Sequence, residues 1–100
     1  MFKIKAKDWM LTVSDARTTL YRREGQYANM NGYAAFRTAS IQSVVISGNQ
    51  TSVVVLVRSD DSPIRLEFPD EKLAALCVER IAAAVFDSVY PSDVDLTQTQ

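Results

Sequence analysis

Several short runs between Phe2 and Phe68 alternate hydrophobic and polar residues with a period of two, which is typical of half-buried β-strands. In Phe2–Lys7, for example, three lysines alternate with apolar residues, and in the last run Arg65 and Glu67 do the same. The pattern predicts seven strands. They are Phe2–Lys7, 9–14, Arg17–Arg23, Tyr33–Thr38, Ile41–Ser47, Thr51–Arg58 and Pro63–Phe68.

Turn-forming residues separate these runs. Ser14-Asp15-Ala16, Gly48-Asn49-Gln50 and Ser59-Asp60-Asp61-Ser62 are predicted turns, because Gly, Asn, Asp and Ser bend the backbone or bond to it locally. Residues 24–32 are predicted to form a loop that ends in Asn31-Gly32, a favoured hairpin-turn pair. The sixth run contains five consecutive apolar residues, so it is predicted to be a strand with little exposure on either face.

The periodicity changes to that of a helix after Phe68. Pro69 suits the first helical position, and Asp70 and Glu71 suit the positive end of the helix dipole. The predicted buried stripe follows i, i+3, i+4 spacing and consists of Leu73, Leu76, Cys77, Ile81, Ala84 and Val85. Residues 89–100 are polar and are predicted to form a C-terminal tail that is disordered near Leu96–Gln100.

These elements predict an α+β fold that is mainly β. We expect a seven-stranded antiparallel sheet or partly open barrel, closed by one C-terminal helix, in a single domain over residues 1–88. One hundred residues suffice to bury one modest core.

The order of seven strands and one closing helix resembles the pleckstrin-homology-like superfold, particularly its small bacterial forms. The segments that carry the resemblance are Ile41–Gly48, Thr51–Arg58, Ile64–Phe68 and the helix stripe. The resemblance covers roughly residues 2–87 and implies a scaffold for binding, whereas the fold alone does not specify a ligand. Lipid-binding members usually carry a tryptophan in the closing helix, whereas the only tryptophan here is Trp9.

The charge is unevenly distributed along a chain whose formal net charge is −1. The first 40 residues hold seven basic and three acidic residues, and the rest hold four basic and nine acidic, which gives +4 and −5. The basic half could form a patch for an anionic partner, or its charges could be the solvated faces of exposed strands. The near-neutral total does not favour nucleic acid as the partner.

The residue types needed for most catalytic and metal chemistry are scarce. The chain has no histidine, so an imidazole base is excluded, and one cysteine cannot build a structural zinc site. Cys77 lies on the helix stripe and is predicted to be a buried, inert thiol. Asp60-Asp61 is interpreted as turn chemistry rather than a cation site. We therefore expect no enzyme, no cofactor and no metal.

Two candidate binding surfaces follow from the pattern. If Val53, Val55 and Val57 face the core, Val54 and Leu56 are left on the outer face, joined by Val45, unless the helix or a loop covers them. The second candidate is a basic and aromatic set beside the 24–32 loop. It comprises Arg17, Tyr21, Arg22, Arg23 and Tyr27.

The expected function is a non-enzymatic protein–protein interaction module. It could be a self-associating adaptor, and so a homo-oligomer, or a small inhibitor that covers the surface of a target. The alternative is an adaptor for membranes or phosphoinositides, which the charge pattern favours less. The N-terminus has charges where a signal peptide needs an apolar run, so a soluble, cytoplasmic protein is the default expectation.

Overall fold

A computed structural model of the protein describes residues 1–22, 32–58 and 63–97. Within these ranges the chain forms eight strands, one α-helix (α1, Glu71–Phe86) and a single 3-10 turn (Thr38–Ser40). The strands are β1 (Phe2–Lys5), β2 (Trp9–Val13), β3 (Arg17–Arg22), β4 (Gly32–Arg37), β5 (Ile41–Ile46), β6 (Ser52–Val57), β7 (Ile64–Glu67) and β8 (Val94–Asp95).

The strands form two sheets. The five-stranded sheet has the order β4-β3-β2-β1-β8, with β1 to β4 antiparallel in sequence and β8 parallel to β1. The three-stranded sheet is the antiparallel meander β5-β6-β7. The predicted α+β, mainly β class is confirmed. The predicted single sheet of seven strands is wrong, and in the described residues the two sheets do not join into a closed barrel.

The eighth strand lies in the segment that the sequence pattern assigned to a polar tail. Val94 and Asp95 pair with Ile4 and Lys5 on β1, and the Leu96 N–H donates to the Lys5 carbonyl oxygen at 2.7 Å. Leu96 is buried, with 5% of its surface exposed, in the segment that the sequence pattern assigned to the tail. A strand of two residues is too short to produce a detectable period, so the pattern does not predict β8. Residues 98–100 lie outside the described chain.

One hydrophobic core joins both sheets and the helix. Each strand contributes its alternate residues, as the period of two requires. The Trp9 and Phe68 rings meet edge to face with centroids 5.5 Å apart, which links β2 to the end of β7. Core members include Phe2, Ile4, Leu11, Val13 and Leu20 from the larger sheet, Val53, Val55, Val57 and Leu66 from the smaller, and Ala74, Cys77, Ile81 and Ala84 from the helix.

The helix begins later than the sequence pattern suggested. Asp70 is the N-cap, and its carboxylate accepts a hydrogen bond of 2.9 Å from the Leu73 N–H. Pro69 therefore precedes the cap instead of occupying the first turn. The predicted stripe is buried at Cys77, but Leu76 is 38% exposed, because it lies about 100° around the helix from Cys77 and so falls off the stripe.

A chain of buried hydroxyl groups fixes the corner where β4 turns into β5. Thr38 donates to the Ser14 carbonyl oxygen at 2.7 Å, and its Oγ1 lies 2.8 Å from Oγ1 of Thr18. Because the single Thr38 proton is already used, Thr18 must be the donor between the two hydroxyls. The corner is thereby tied to the β2–β3 turn.

The predicted turn between β5 and β6 is present. The Gln50 N–H donates to the Ser47 carbonyl oxygen at 2.9 Å, and Gln50, not Gly48, adopts the left-handed backbone conformation with a φ of 64°. The predicted turn at 59–62 and loop residues 24–31 lie outside the described chain, and Gly32 begins β4.

Candidate functional site

Three apolar residues form a cluster on the outer face of the three-stranded sheet. Register places Val45 directly opposite Val54, and Leu56 follows two residues later on the same face of β6. Val45 is 43% exposed, whereas Val54 and Leu56 are half-buried. We call these three residues the apolar surface. Of the two faces of β6, the one that carries Val53, Val55 and Val57 points into the core.

The helix does not lie over the apolar surface. Its buried residues Cys77 and Ile81 share one cluster with Val53 and Val55, so the helix packs on the inner side of the sheet. Of the two covers that the sequence left open, the helix is therefore excluded.

Polar residues border the apolar surface on β5 and β7. Ser43 lies opposite Leu56, and the exposed Arg65 lies opposite Val54. At the far end, the buried Ser52 donates to a Glu67 carboxylate oxygen at 2.7 Å. The surface thus has an apolar centre with a polar border.

The predicted basic and aromatic set is divided between the two faces of β3. Arg17 and Tyr21 are four residues apart and share the outer face, where Tyr21 is 44% exposed. Arg22 has the opposite parity and is half-buried, and its Nη2 donates to the Arg65 carbonyl oxygen at 2.6 Å. Arg22 therefore links β3 to β7 rather than joining Arg17. Arg23 and Tyr27 lie outside the described residues.

The Nε atom of Arg22 differs from Nη2 in its hydrogen bonding. Nε is buried and has no hydrogen-bond partner within residues 1–22, 32–58 and 63–97. The bond from Nη2 to the β7 backbone nevertheless gives this arginine a structural role between the two sheets.

A second arginine takes the place beside Arg17. The β3–β4 register puts Arg37 directly opposite Arg17, and both residues are exposed. We call Arg17 and Arg37 the arginine pair. In the sequence, Arg37 is recognisable only as one of the seven basic residues among the first 40. The signal that identifies it is the shared parity of two strands once their pairing register is known, and the sequence does not provide that register.

The arginine pair is part of a larger cationic face. Thr19 lies opposite both Ala35 and Thr12, and Thr12 lies opposite Lys3, so these positions share the outer face of the five-stranded sheet. Lys5 follows Lys3 at a spacing of two. The cationic face therefore contains four basic residues: Lys3, Lys5, Arg17 and Arg37.

The β8 edge of the cationic face is acidic. Asp93 accepts a hydrogen bond from the Lys3 backbone N–H at 3.0 Å, and Asp95 pairs with Lys5 in register. The side-chain and backbone donors of Thr97 lower the pKa of Asp95, and the Lys5 charge lowers it further, although partial desolvation opposes them. The two lysines thus have carboxylates beside them.

A carboxylate close to the arginine pair in sequence has another partner. Asp15 accepts a hydrogen bond from the Tyr90 hydroxyl. This bond is the main reason that the pKa of Tyr90 is raised, since it stabilises the protonated phenol. The contact also anchors the segment after α1 to the β2–β3 turn.

The single cysteine is buried, as the sequence predicted. Burial raises the pKa of the Cys77 thiol from 9.0 to about 11, and the nearby Arg80 charge lowers it only in part. The thiol therefore remains protonated near neutral pH and is a poor nucleophile.

The described residues were compared with the requirements of a metal site and of a membrane-spanning helix. In the described part of the chain, no group of three or more Cys, Asp or Glu side chains is arranged to hold a metal ion. Within the same residues, no helix has the length and apolar character required to cross a bilayer.

Comparison with known proteins gives no relative for this chain. No protein-family model, no curated protein and no solved structure matches it.

Proposed function

We propose that this protein is a non-enzymatic protein-interaction module with a pleckstrin-homology-like fold. The fold assignment is supported by the order of elements: a four-stranded meander, a three-stranded meander and a helix that packs against the shared core. β8 is an addition to the seven-strand pattern.

The observation that carries the functional proposal is the apolar surface. Val45 and Val54 lie directly opposite each other on an outer sheet face, and the helix packs on the other side. Outer faces of antiparallel sheets are normally polar, so adjacent valines and a leucine there are unusual. An apolar centre within a polar border is the common anatomy of a protein–protein interface.

We assign the apolar surface to a different protein rather than to a second copy of the chain. Permanent homodimer interfaces are large and strongly apolar, about 1,000 Å² or more per partner. Three partly buried aliphatic residues are too few for such an interface. They suit the centre of a smaller, reversible complex, in which a few residues supply most of the binding energy.

Affinity capture from the native host tests the proposal. Immobilised wild-type protein is compared with the Leu56→Lys variant, and bound proteins are quantified by mass spectrometry. Leu76→Lys is the matched control, because it makes the same chemical change at a partly exposed leucine of α1. Circular dichroism first establishes that all three proteins are folded.

A partner that is retained by wild type and by Leu76→Lys, and reduced about tenfold or more by Leu56→Lys, supports the proposal. A partner that binds all three proteins equally contradicts the assigned surface. Sedimentation velocity over a range of protein concentrations distinguishes self-association from binding of a different protein. Self-association would give a mass that increases with concentration in wild type and does not increase in Leu56→Lys. Salt-sensitive sedimentation with anionic liposomes would favour the membrane alternative instead.

A further inference from the structure

The arginine pair lowers the stability of the folded protein when no partner is bound. Residues directly opposite on antiparallel strands have Cβ atoms about 4.5–5.5 Å apart, and like charges in this position destabilise the sheet. The β3–β4 register imposes this arrangement on Arg17 and Arg37. Both side chains are exposed, so packing does not account for them.

The rest of the described chain does not neutralise this pair. The Asp93 carboxylate bonds to the Lys3 backbone N–H and Asp95 lies beside Lys5 in register, whereas within the described residues neither arginine has a carboxylate as an ion-pair partner. Asp15, the acidic residue closest in sequence to Arg17, instead accepts the Tyr90 hydroxyl. The two uncompensated charges therefore lie together at the β3–β4 side of the sheet.

We infer that the arginine pair is a binding site for an acidic segment of a protein partner, recognised through its Asp or Glu carboxylates. A guanidinium binds a carboxylate through two parallel hydrogen bonds, and two guanidiniums at this spacing can hold one carboxylate or two neighbouring ones. Tyr21 is 44% exposed on the same face of β3, about 13 Å along the strand from Arg17, so an extended segment bound at the arginine pair can reach its ring and hydroxyl. This inference extends the proposed function to the other sheet and does not depend on the apolar surface.

The acidic β8 edge favours a short acidic peptide over nucleic acid or an anionic membrane as the ligand of the arginine pair. The carboxylates of Asp93 and Asp95 lie at the opposite edge of the same face, and they would repel a phosphate backbone or an anionic bilayer that spread across it. Non-specific binding of single-stranded nucleic acid also requires several aromatic stacking platforms. A short acidic segment can contact the arginine pair and avoid the acidic edge.

Fluorescence anisotropy with a labelled oligoglutamate peptide tests the inference on the intact protein. Wild type is compared with the double charge reversal Arg17→Glu/Arg37→Glu and with Arg17→Gln/Arg37→Gln, which removes charge without reversing it. The matched control is Arg58→Glu/Lys72→Glu, which changes the net charge by the same amount as the double charge reversal, at two exposed residues that are not part of the cationic face. An oligoglutamine peptide and a single-stranded oligothymidine complete the set of probes.

We expect wild type and the Arg58/Lys72 control to bind oligoglutamate with affinities within about threefold, and both arginine-pair variants to bind at least about tenfold more weakly. Binding should weaken as salt shortens the Debye length from about 10 Å to about 3 Å. Equal loss in the Arg58/Lys72 control would reduce the effect to net charge and overturn the inference. Tighter binding of oligothymidine than of oligoglutamate would also overturn it.

Thermal unfolding supplies a second readout that a purely structural role would not give. Arg37→Glu places an acid opposite Arg17, so the variant should melt a few degrees higher than wild type while it loses the peptide. Oligoglutamate should raise the melting temperature of wild type and not that of Arg37→Glu. A lower melting temperature for Arg37→Glu, with peptide binding intact, would contradict the inference.

Leu56→Lys should bind oligoglutamate normally, so failure of the apolar surface and failure of the arginine pair are separable.

Discussion

The outer faces of the two sheets differ in chemistry although the same alternation produces both. On the three-stranded sheet the outward positions include Val45, Val54 and Leu56. On the five-stranded sheet they include Arg17 and Arg37 and two lysines nearer β8. The first face exposes apolar atoms that water solvates poorly, and the second brings together like charges.

The inner faces of these sheets are therefore constrained by packing, whereas the outer faces are not. The inner faces form one continuous core with the helix, and their side chains are explained by packing. Val45 in the apolar surface and both residues of the arginine pair are exposed, so packing in the core does not account for them. Residues that break a local rule without a structural gain are the positions at which function is expected.

The largest effect should come from comparing the two faces of the three-stranded sheet. Leu66 is fully buried on the inner face, and Leu66→Ala should lower the free energy of unfolding by about 2–5 kcal/mol. Leu56→Ala, on the outer face, should cost less than about 1.5 kcal/mol, because this side chain is already partly in water. Urea denaturation measures both. Equal costs would mean that Leu56 belongs to the core.

The second effect concerns Cys77, which faces the core while its neighbour Leu76 faces solvent. A thiol pKa raised to about 11 leaves roughly a hundredfold less thiolate near pH 8 than the ordinary cysteine pKa of 9.0 does. Ellman's reagent should therefore react with the native protein at least about a hundredfold more slowly than with the urea-unfolded chain. Because the folded-state pKa is raised, the associated stability is present below pH 9 and is lost as the pH rises through about 11. Fast reaction of the native thiol would show that the helix is not docked.

A smaller effect is expected at the buried hydroxyls of Thr18 in β3 and Thr38 in the 3-10 turn that follows β4. Thr38→Val removes the donor to the Ser14 carbonyl and the acceptor for Thr18, so we expect a loss of about 1–3 kcal/mol. Thr38→Ser retains the hydroxyl and is the matched control, with a smaller loss. Chemical denaturation of both variants measures the difference, and similar losses would mean that the methyl group, not the hydrogen bonds, stabilises the corner.

The smallest effect should appear at the acidic edge of the cationic face. The pKa of Asp95 is lowered because Thr97 donates to its carboxylate, so the contribution of this group is present above its unfolded pKa and is lost as the pH falls through its folded value. The protection of the Leu96 amide against hydrogen exchange, measured relative to the exchange rate of the unfolded chain at the same pH, should therefore fall on acidification, because this amide bonds to the Lys5 carbonyl oxygen beside Asp95. Asp95→Asn should remove this pH dependence at Leu96, and a pH response that persists in the variant would assign it to another group.

The strands with clear alternation could be predicted from sequence alone. Parity groups Val53, Val55 and Val57 on one face of β6 and Val54 and Leu56 on the other, and the structure shows that the first group faces the core. Local pattern contains this information because side-chain direction in a strand depends only on parity.

The features that depend on pairing between distant segments could not be predicted. β8 contains two residues, so its place beside β1 is set by tertiary contacts rather than by a period. Likewise, Arg37 joins Arg17 only through the β3–β4 register, and Arg22 leaves the basic set because an odd spacing from Arg17 turns it inward. Composition counts these arginines as one basic region, whereas the pleat separates them.

The most direct test of the apolar surface is the affinity of a captured partner for three purified proteins: wild type, Leu56→Lys and Arg17→Gln/Arg37→Gln. Isothermal titration calorimetry at low and high salt gives each Kd. We expect Leu56→Lys to weaken binding at least about tenfold at both salt concentrations, whereas the arginine variant should weaken it mainly at low salt. A Kd that Leu56→Lys leaves unchanged at both salt concentrations would contradict the assignment of the apolar surface as the interface.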